Sequence, residues 1–382
     1  MKKEFIDKII SVILFLIIIG IFSVIIVFLI FFLQEFWGEE KNLEFVETVG
    51  NVENITSEDK TVEDDIETPE IVQNPISSIE RNNQSTNNNY SNVQVDKYFY
   101  NQLEEESRII YRAFESNKEQ MKIGTYQIEL GTSFSDLLSQ SNGQEKLGEY
   151  YQSAIEAYIY DNAEVFYLSP RKMYLNIETT TRGNNSTYNV FINAGNEANY
   201  LADEFQSKEQ IDQAIAQIEQ VKNQILQNKT GNTYEDIKMV HDYLVDTISY
   251  DSSLSKQNIY NVYGALINRE CVCEGYARAF KYLLDELDIP CVMVIGTGTN
   301  SQGETENHAW NYVQLDGSWY AVDTTWDDPV VLGGGTASEA SRYKYFLVGK
   351  EIIDQDHKSS GQFTDGGKVF SYPNLSNTSY PV

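Results

Sequence analysis

Cysteine and histidine are the scarcest reactive residues of this chain, with three of each among 382 residues. An odd number of cysteines does not make a disulfide framework, and it fits one working thiol better than a stapled scaffold. Cys271 and Cys273 are separated by one residue, which does not match the ligand spacing of a zinc site, and the few histidines offer no matching ligand pair. The sequence therefore predicts no disulfide, no metal and no cofactor.

Basic residues are also few. The chain has 28 lysines and arginines and 57 acidic residues, which gives a net charge of −29 at pH 7. This balance argues against nucleic acid as a partner. Between Glu39 and Glu70 there are 12 acidic residues and two lysines, and the asparagine-rich tract Asn82–Asn92 follows. Such segments do not bury a core. Residues 34–93 are therefore predicted to be a disordered linker.

An uncharged run near the N-terminus, Ile9–Leu33, is long enough to span a bilayer even when tilted. It is longer than the apolar core of a cleavable signal peptide, and no small-x-small cleavage site follows it. Three lysines precede the run, and three glutamates follow it by residue 40. This asymmetry predicts a cytoplasmic stub at residues 1–8, a transmembrane helix at 9–33 that anchors the protein in the membrane, and an extracytoplasmic remainder.

Residues 94–230 form a second folded region without a motif that can be tied to chemistry, and they are predicted to be an α+β accessory domain of unknown role. Its many tyrosines are interpreted as core and sheet residues, the alternative being a glycan- or peptide-binding face. Ser207 and Gln210 match a capping box at a helix start. The predicted helices span Tyr98–Lys118 and Gly148–Tyr160, and the predicted strands span Val165–Leu168, Met173–Ile177 and Tyr188–Ile192.

The segment Cys271–Ala277, Cys-Val-Cys-Glu-Gly-Tyr-Ala, leads into an amphipathic helix with apolar residues at helical spacing through Leu287. Cys273 is therefore predicted at or just before the first helical turn. The helix dipole and the unpaired N–H groups there favour a thiolate and an oxyanion. Gly275 is expected to let a substrate backbone approach closely. Pro290 ends the helix, and a short apolar strand follows it.

Two further segments supply an imidazole and a carboxylate. The segment His308–Asn311 reads His-Ala-Trp-Asn, and the segment Trp319–Asp327 has Asp323 at its centre. Asp316–Gly317, between them, is a strong signal for a two-residue hairpin turn. A thiolate, an imidazole that accepts its proton and a carboxylate that orients the imidazole form the generalised nucleophile triad.

The hairpin turn predicts a register that places the imidazole near the carboxylate. If the turn is regular, Leu315 faces Ser318 and Trp310 faces Asp323. His308 then lies on the diagonal from Asp323, on the same face of the sheet, at a separation that side chains can span. A one-residue bulge would instead place the two on opposite faces.

Each candidate also has a structural interpretation. A buried cysteine is often an apolar filler, and a lone histidine or aspartate is often a hydrogen-bonded or capping residue. Cys271 is the rival nucleophile to Cys273, whereas Cys291 lies in the apolar strand and is predicted to pack. His241 is predicted to be structural. His357 lies in a polar segment and is predicted to be exposed.

The cysteine, histidine and aspartate segments, with these residues in this order, resemble the transglutaminase-like superfamily of papain-type cysteine enzymes. The resemblance includes the kyphoscoliosis-peptidase-like transglutaminase-core proteins of that superfamily. The resemblance covers residues 233–329 within a catalytic domain predicted at 231–382. It implies an α+β fold in which a nucleophile helix packs on an antiparallel sheet. It assigns the nucleophile to Cys273, the base to His308 and the orienting carboxylate to Asp323. Candidates for the cleft or the oxyanion site are Tyr263, Gly275 and Trp310.

The chemistry that the resemblance implies is acyl transfer through a thioester on a peptide or carboxamide bond. Water as the acceptor gives a peptidase or amidase, and an amine gives a crosslinking transglutaminase. Members with this compact pattern resemble proteases more than crosslinkers. We therefore expect hydrolysis of a protein or peptide substrate at the cell envelope. The alternatives that stay open are a transglutaminase and a noncatalytic binding module with a vestigial triad.

Overall fold

The computed structural model describes residues 70–71, 90, 93–182, 185–202, 204–328, 338–364 and 367–381. These residues form a mixed structure of helices and sheets, as the sequence predicts. The predicted membrane span at 9–33 and nearly all of the predicted linker at 34–93 lie outside the described residues. In the part of the chain that is described, no helix combines the length and apolarity needed to cross a membrane.

The accessory region, residues 93–230, is built from helices and three strands, and a two-residue strand from the predicted linker, at residues 70–71, completes a four-stranded sheet with the order β1-β3-β4-β2. The strands are antiparallel apart from the parallel pair β1–β3. The strands are β1 (Glu70–Ile71), β2 (Ile128–Gly131), β3 (Tyr174–Arg182) and β4 (Asn185–Asn193), and the helices are α1 (Glu105–Ser116), α2 (Lys118–Met121), α3 (Ser135–Leu138), α4 (Gly143–Asp161) and α5 (Lys208–Leu226).

Most of the elements predicted in this region are present, with one exception. Ser207 caps α5 by accepting from Gln210 N, as predicted, although the Gln210 side chain accepts from Gln206 N. The predicted strand Val165–Leu168 is wrong, because the segment is the end of a 3-10 helix followed by a turn, and only Leu168 makes an isolated bridge, to Leu201. All four of its side chains are buried, so the apolar run lacks the alternation that identifies a strand. The tyrosines predicted as core residues include the fully buried Tyr111, Tyr151, Tyr158, Tyr167 and Tyr200.

The C-terminal region contains a second four-stranded sheet, which is antiparallel and has the order β10-β7-β8-β9. A short parallel pair, β5 with β6, stands before the nucleophile helix. The helices are α6 (Thr233–Thr247), α7 (Cys273–Asp285, the nucleophile helix), α8 (Glu339–Arg342) and α9 (Lys350–Ile353), and the strands are β5 (Ser249–Tyr250), β6 (Glu270–Cys271), β7 (Cys291–Thr299), β8 (Thr305–Leu315), β9 (Ser318–Val322) and β10 (His357–Ser359).

The hairpin between β8 and β9 has the predicted register. Leu315 pairs with Ser318, and Asn311 pairs with Val322, without a bulge. The turn residues Asp316 and Gly317 have φ values of 50° and 77°. Positive φ at both central positions defines a type I′ turn, whose twist matches that of the two strands. Continuing the register by one residue places position 310 opposite position 323, as predicted.

One hydrophobic core runs through the accessory region and the C-terminal region. The segment after β10 returns to the accessory region, where Phe363 stacks on Tyr160 with ring centroids 4.0 Å apart. Phe99 contacts both Phe363 and Phe370 edge-on, at 5.3 Å. Burial of such large rings stabilises a fold by about 1.5–3 kcal/mol each. The accessory region therefore packs as part of the same body as the nucleophile helix and its sheet.

Candidate active site

Cys273 is the first residue of the nucleophile helix and directly follows the strand β6 and the extended residue Val272. Val272 N donates to Ile259 O over 3.0 Å, which fixes the entry of the chain into the helix. Tyr276 N donates back to Val272 O, so the first turn is closed. The positive end of the helix dipole lies at this position and favours an anionic sulfur. The predicted placement at the first helical turn is confirmed.

The other two thiols are poorly suited to nucleophilic attack. Cys271 is fully buried, and burial raises the pKa of its thiol well above the ordinary value. Burial likewise raises the pKa of the Cys291 thiol, despite an opposing contribution from Lys281. A cysteine attacks as the thiolate, so a raised pKa leaves little of the reactive form near neutral pH. Cys273 is also buried, at 6% exposed against 0% for Cys271, but it lies at the start of the helix, so of the two cysteines near the helix start it is the better candidate.

His308 and Asp323 meet across the second sheet. His308 lies on β8, Asp323 directly follows β9, and His308 Nε2 is 2.8 Å from Asp323 Oδ2. Both side chains are buried, with 2% and 0% of their surface exposed. The diagonal contact that the hairpin register predicts is present, at hydrogen-bond distance.

Asp323 is bonded at both carboxylate oxygens. Its Oδ1 accepts from the backbone N–H groups of Thr325 and Trp326, at 3.0 and 3.2 Å. Its Oδ2 faces the Nε2 atoms of His308 and His357. Burial alone would raise the pKa of Asp323, but the two histidines outweigh it and hold that pKa well below its usual range. The carboxylate is therefore an anion at every physiological pH.

His357 is the residue that the sequence places wrongly. It is predicted to be exposed, but it is buried, and its Nε2 lies 3.0 Å from Asp323 Oδ2. The strand β10 carries it there, because His357 pairs with Gly298 on β7 in an antiparallel ladder. A local polar sequence does not reveal this pairing. The signal that was available is that His357 is one of only three histidines.

Two hydrogen bonds tie the nucleophile helix to the strand that carries His308 and to the segment that follows Asp323. Asn311 Nδ2, three residues after His308, donates to Ala277 O over 3.0 Å. Tyr276 donates its hydroxyl to Asp328 Oδ2 over 2.6 Å. Both bonds start or end about one helical turn from Cys273. They fix the position of the helix start relative to the middle of β8 and to the segment after β9.

The remaining predicted site residues occupy packed positions. The Tyr263 hydroxyl donates to Gln217 Oε1 over 2.9 Å, so its donor is used on α5. A Cβ atom on Gly275 would lie 2.5 Å from Cys271 Cβ, so the close approach there is made by the protein itself and not by a substrate. Trp310 is 1% exposed and stacks beside His308, with ring centroids 5.8 Å apart. Trp310 therefore supports the histidine from within the core.

Trp326 covers the pair of histidines from the other side. Its ring centroid lies 5.0 Å from that of His308 and 4.4 Å from that of His357. Gly298 makes room for this ring, because a Cβ atom there would lie 2.7 Å from Trp326 Cζ2. The indole excludes water from the imidazoles, which strengthens the hydrogen bonds to the carboxylate.

His241 forms a separate cluster and is buried, whereas the sequence left open whether this histidine is packed or partly exposed. Its Nε2 lies 3.1 Å from Asp327 Oδ2, and its Nδ1 lies 3.1 Å from Asp242 Oδ1. Burial alone would lower the pKa of His241, but the two carboxylates outweigh it and raise that pKa. Asp327 also accepts from Tyr345 N over 2.9 Å. This cluster joins α6 to the segment that follows Asp323.

Among the described residues, His308, Asp323 and His357 are the group whose side chains could hold a metal ion, with one ligand atom from each lying within 4.8 Å of the others. The sequence does not foresee this meeting of two histidines. Two imidazoles and a carboxylate are suitable ligands for Zn²⁺. Both Nε2 atoms, however, lie at hydrogen-bond distance from the same oxygen, so protons on the two nitrogens already satisfy the group. A metal would have to displace both protons.

A cavity of about 220 Å³ borders the start of the nucleophile helix. Glu274 and Arg278, on the first turns of that helix, form one wall, and Ile155 and Ile159 of α4 form another. Arg278 is paired with Glu274 at 2.7 Å. The accessory region thus contributes an apolar wall next to the helix that presents Cys273.

Comparison with known proteins identifies the same part of the chain. Residues 219–324 match the model of the transglutaminase-like superfamily. Over 136 residues, which are 32% of this chain, the sequence is 28% identical to kyphoscoliosis peptidase of Mus musculus and 27% identical to that of Homo sapiens. The chain spans 20% of the length of these relatives. A solved structure described as that of a TGase is 14% identical, covers 46% of this chain and 50% of its own, and has a TM-score of 0.28. The chain therefore contains, at residues 219–324, a domain of the transglutaminase-like superfamily.

Proposed function

We propose that this protein is a cysteine acyl-transfer enzyme that hydrolyses peptide or carboxamide bonds through a thioester on Cys273. The observation that carries the proposal is the buried His308–Asp323 pair, with 2.8 Å between Nε2 and Oδ2, on the sheet to which the nucleophile helix is tied. All three cysteines are buried, and burial raises the pKa of the Cys271 and Cys291 thiols, whereas Cys273 has the helix start to favour a thiolate.

Acylation uses the two nitrogens of His308 for different tasks. Nε2 donates to Asp323, so Nδ1 is the ring nitrogen left to accept the proton of the Cys273 thiol. The thiolate attacks the substrate carbonyl, and N–H groups at the helix start stabilise the oxyanion. His308 returns the proton to the departing amine as the C–N bond breaks. The products are an amine and an acyl-thioester.

Deacylation decides between hydrolysis and crosslinking. Water, deprotonated by His308, attacks the thioester and releases a carboxylic acid, and the proton returns to the thiol. An amine that reaches the same intermediate gives an amide and makes the enzyme a transglutaminase. We favour water as the acceptor, on the resemblance of this compact triad pattern to proteases.

The cavity beside the nucleophile helix is the proposed subsite for a substrate side chain. It begins at Glu274, the residue after Cys273, and its volume of about 220 Å³ suits one large side chain. Ile155 and Ile159 provide apolar contact, and the paired Glu274 and Arg278 provide polar contact. A role in substrate binding would account for the packing of the accessory region against the helix.

The proposed setting is extracytoplasmic, with the uncharged run at 9–33 as the membrane anchor. Three lysines before the run and three glutamates after it support this orientation. Protease added to intact cells should then degrade the region after residue 38. Full protection until the cells are lysed would contradict the orientation and leave the chemistry untouched.

The chemistry is tested by giving the full-length protein a peptide library together with a labelled primary amine. Mass spectrometry then reads new chain termini and amine incorporation from the same sample. We expect cleavage to exceed incorporation, and both to be lost in Cys273→Ala but retained in the matched variant Cys271→Ala. Incorporation in excess of cleavage would make the enzyme a transglutaminase. Cleavage that persists in Cys273→Ala would place the chemistry elsewhere.

A further inference from the structure

We propose that His357 is a positioning residue for the reaction, which holds the Asp323 carboxylate in the orientation that meets His308. The inference rests on the proposed function, because it gives His357 a task only if His308 is the base. His308 and His357 lie on different strands, β8 and β10, and approach Asp323 from two sides. Their ring centroids are 5.3 Å apart.

The two imidazoles share one oxygen of the carboxylate. Asp323 Oδ2 lies 2.8 Å from His308 Nε2 and 3.0 Å from His357 Nε2, while backbone N–H groups occupy Oδ1. Without His357, the only hydrogen bond to Oδ2 among the described residues would be the one to His308 itself, so Oδ2 would follow the imidazole as it moves during the reaction. With His357 present, Oδ2 is held independently of His308, so it stays in place while the base gains and loses its proton. Such fixation of the orienting group is what a triad requires of its third member.

A second carboxylate fixes His357 itself. His357 Nδ1 lies 2.8 Å from Asp356 Oδ1, so both ring nitrogens face carboxylate oxygens, which only accept. This arrangement favours an imidazole that donates from both nitrogens, which is its protonated form. Burial alone would lower the pKa of His357, but its two carboxylate partners outweigh it and raise that pKa.

Among the groups around His357, the carboxylates of Asp323 and Asp356 are the ones that raise its pKa. Tyr345 packs against the ring at 5.1 Å and donates its hydroxyl to Asp356 Oδ2 over 2.6 Å. Lys344 lies 3.7 Å from the same Asp356 oxygen. The rings of Trp310 and Trp326 also pack against His357, with centroids 5.0 and 4.4 Å away. Hydrogen bonds at both nitrogens and packed aromatic rings together restrict the orientation of His357 toward Asp323.

His241 provides the matched control. It is equally buried and also lies between two carboxylates, Asp242 and Asp327. Its carboxylate partner at Nε2 is bonded to the Tyr345 backbone and not to His308. Loss of either histidine opens a buried polar cluster and lowers stability. Only the loss of His357 frees the carboxylate that faces the base.

The test compares His357→Leu, His357→Gln and His241→Leu in the full-length protein. The rate of Cys273 alkylation by iodoacetamide is measured from pH 5 to pH 10 with peptide mapping, and Tm is measured alongside. We expect His357→Leu to lower the rate at neutral pH by about 10- to 100-fold and to move the profile toward that of an ordinary thiol, near pH 8.5. His357→Gln retains an amide donor for Asp323 and should stay within about threefold of wild type. His241→Leu should lower Tm without changing the profile.

Asp356→Asn serves if His357→Leu does not fold, because Asp356 is partly exposed and the substitution leaves the His357 ring in place while it weakens the anchor at Nδ1, together with the acceptor of the Tyr345 hydroxyl. It should lower the rate by about two- to fivefold, as expected for loss of one hydrogen bond to a charged group. A wild-type profile in His357→Leu or Asp356→Asn, or a His357→Gln rate as low as that of His357→Leu, would overturn the positioning role. Wild-type Cys273 that reacts no faster than Cys271 would instead overturn the proposed function.

Discussion

Glu156 of the accessory region and Asp323 of the candidate site are both buried carboxyl groups, yet the structure shifts their pKa values in opposite directions. Glu156 is 5% exposed and accepts only from neutral donors, Thr364 and Gln152. Burial raises its pKa to about 7, because these donors only partly offset the lost hydration. Asp323 is more deeply buried, but two histidines hold its pKa well below the usual range. Between these two groups, the hydrogen-bonding partners and not the depth of burial decide which carboxyl stays charged.

The hydrogen bonds of the two groups show how a carboxyl buried in the core differs from one in the candidate active site. One oxygen of Glu156, Oε2, has no hydrogen-bond partner among the described residues. Both oxygens of Asp323 are bonded, to two backbone N–H groups and two imidazoles. The fold tolerates the arrangement at Glu156 because this carboxyl group is neutral below its raised pKa. The second arrangement keeps a negative charge in the interior, which is what stabilises a histidine that gains a proton during catalysis.

The largest effect is expected from removing the charge of Asp323. Asp323→Asn should lower kcat/KM for peptide cleavage by about 10³- to 10⁴-fold, because an amide does not stabilise protonated His308 and favours the wrong tautomer. The matched variant Asp327→Asn removes a buried carboxylate that contacts His241 and should retain activity within a few-fold while losing stability. The measurement is kcat/KM together with Tm for both variants. Equal losses of activity in the two would show that Asp323 has no special role.

A smaller effect of the opposite sign is expected at Glu156. Its folded pKa is raised from 4.5 to about 7, so its contribution to stability is full below pH 4.5 and is lost as the pH rises through 7. Glu156→Gln should therefore stabilise the fold by about 1–3 kcal/mol at pH 8 and by little at pH 4. Denaturant unfolding at the two pH values measures this difference.

The control for this change is Glu149→Gln, an exposed position on the same helix α4. It should shift stability equally at pH 4 and pH 8. If Glu156→Gln destabilised the protein more at pH 8 than at pH 4, Glu156 would be a charged and well-paired group, and its contrast with Asp323 would disappear.

The smallest effect is expected from metal removal. Hydrogen bonds from His308 and His357 already satisfy Asp323 Oδ2, so dialysis against a chelator should change peptide cleavage by less than about twofold. Added Zn²⁺ should inhibit, because ligation takes the nitrogens that donate to the carboxylate. A loss of activity on chelation that Zn²⁺ restores would instead identify His308, Asp323 and His357 as a metal centre.

Local sequence signals predict the parts of the site that local geometry controls. The Asp316–Gly317 turn predicts the register of β8 and β9, and that register places His308 against Asp323. Helical spacing predicts the start of the nucleophile helix at Cys273. In each case a short segment contains the whole physical cause, a turn geometry or a helical period.

Local sequence signals do not predict the position of His357, because a long-range strand pairing determines it. The residue lies 34 positions from Asp323, and a strand of three residues, β10, brings it to the site. Its neighbours in sequence are polar, so the pattern predicts exposure, whereas pairing with β7 and packing against Trp326 bury it. The failure at Val165–Leu168 has another cause, since a fully buried run has no alternation from which a strand can be recognised.

Covalent trapping by a peptide epoxide inhibitor at pH 7 tests whether Cys273 is the nucleophile that His308 and Asp323 activate. Full-length wild type, His308→Gln and Asp323→Asn are treated in parallel, and the adduct is mapped by mass spectrometry. We predict one adduct, on Cys273, that forms at least about 100-fold more slowly in both variants because the thiolate loses its partner. An adduct mainly on Cys271 or Cys291, or a Cys273 adduct that forms equally fast in all three proteins, would contradict it.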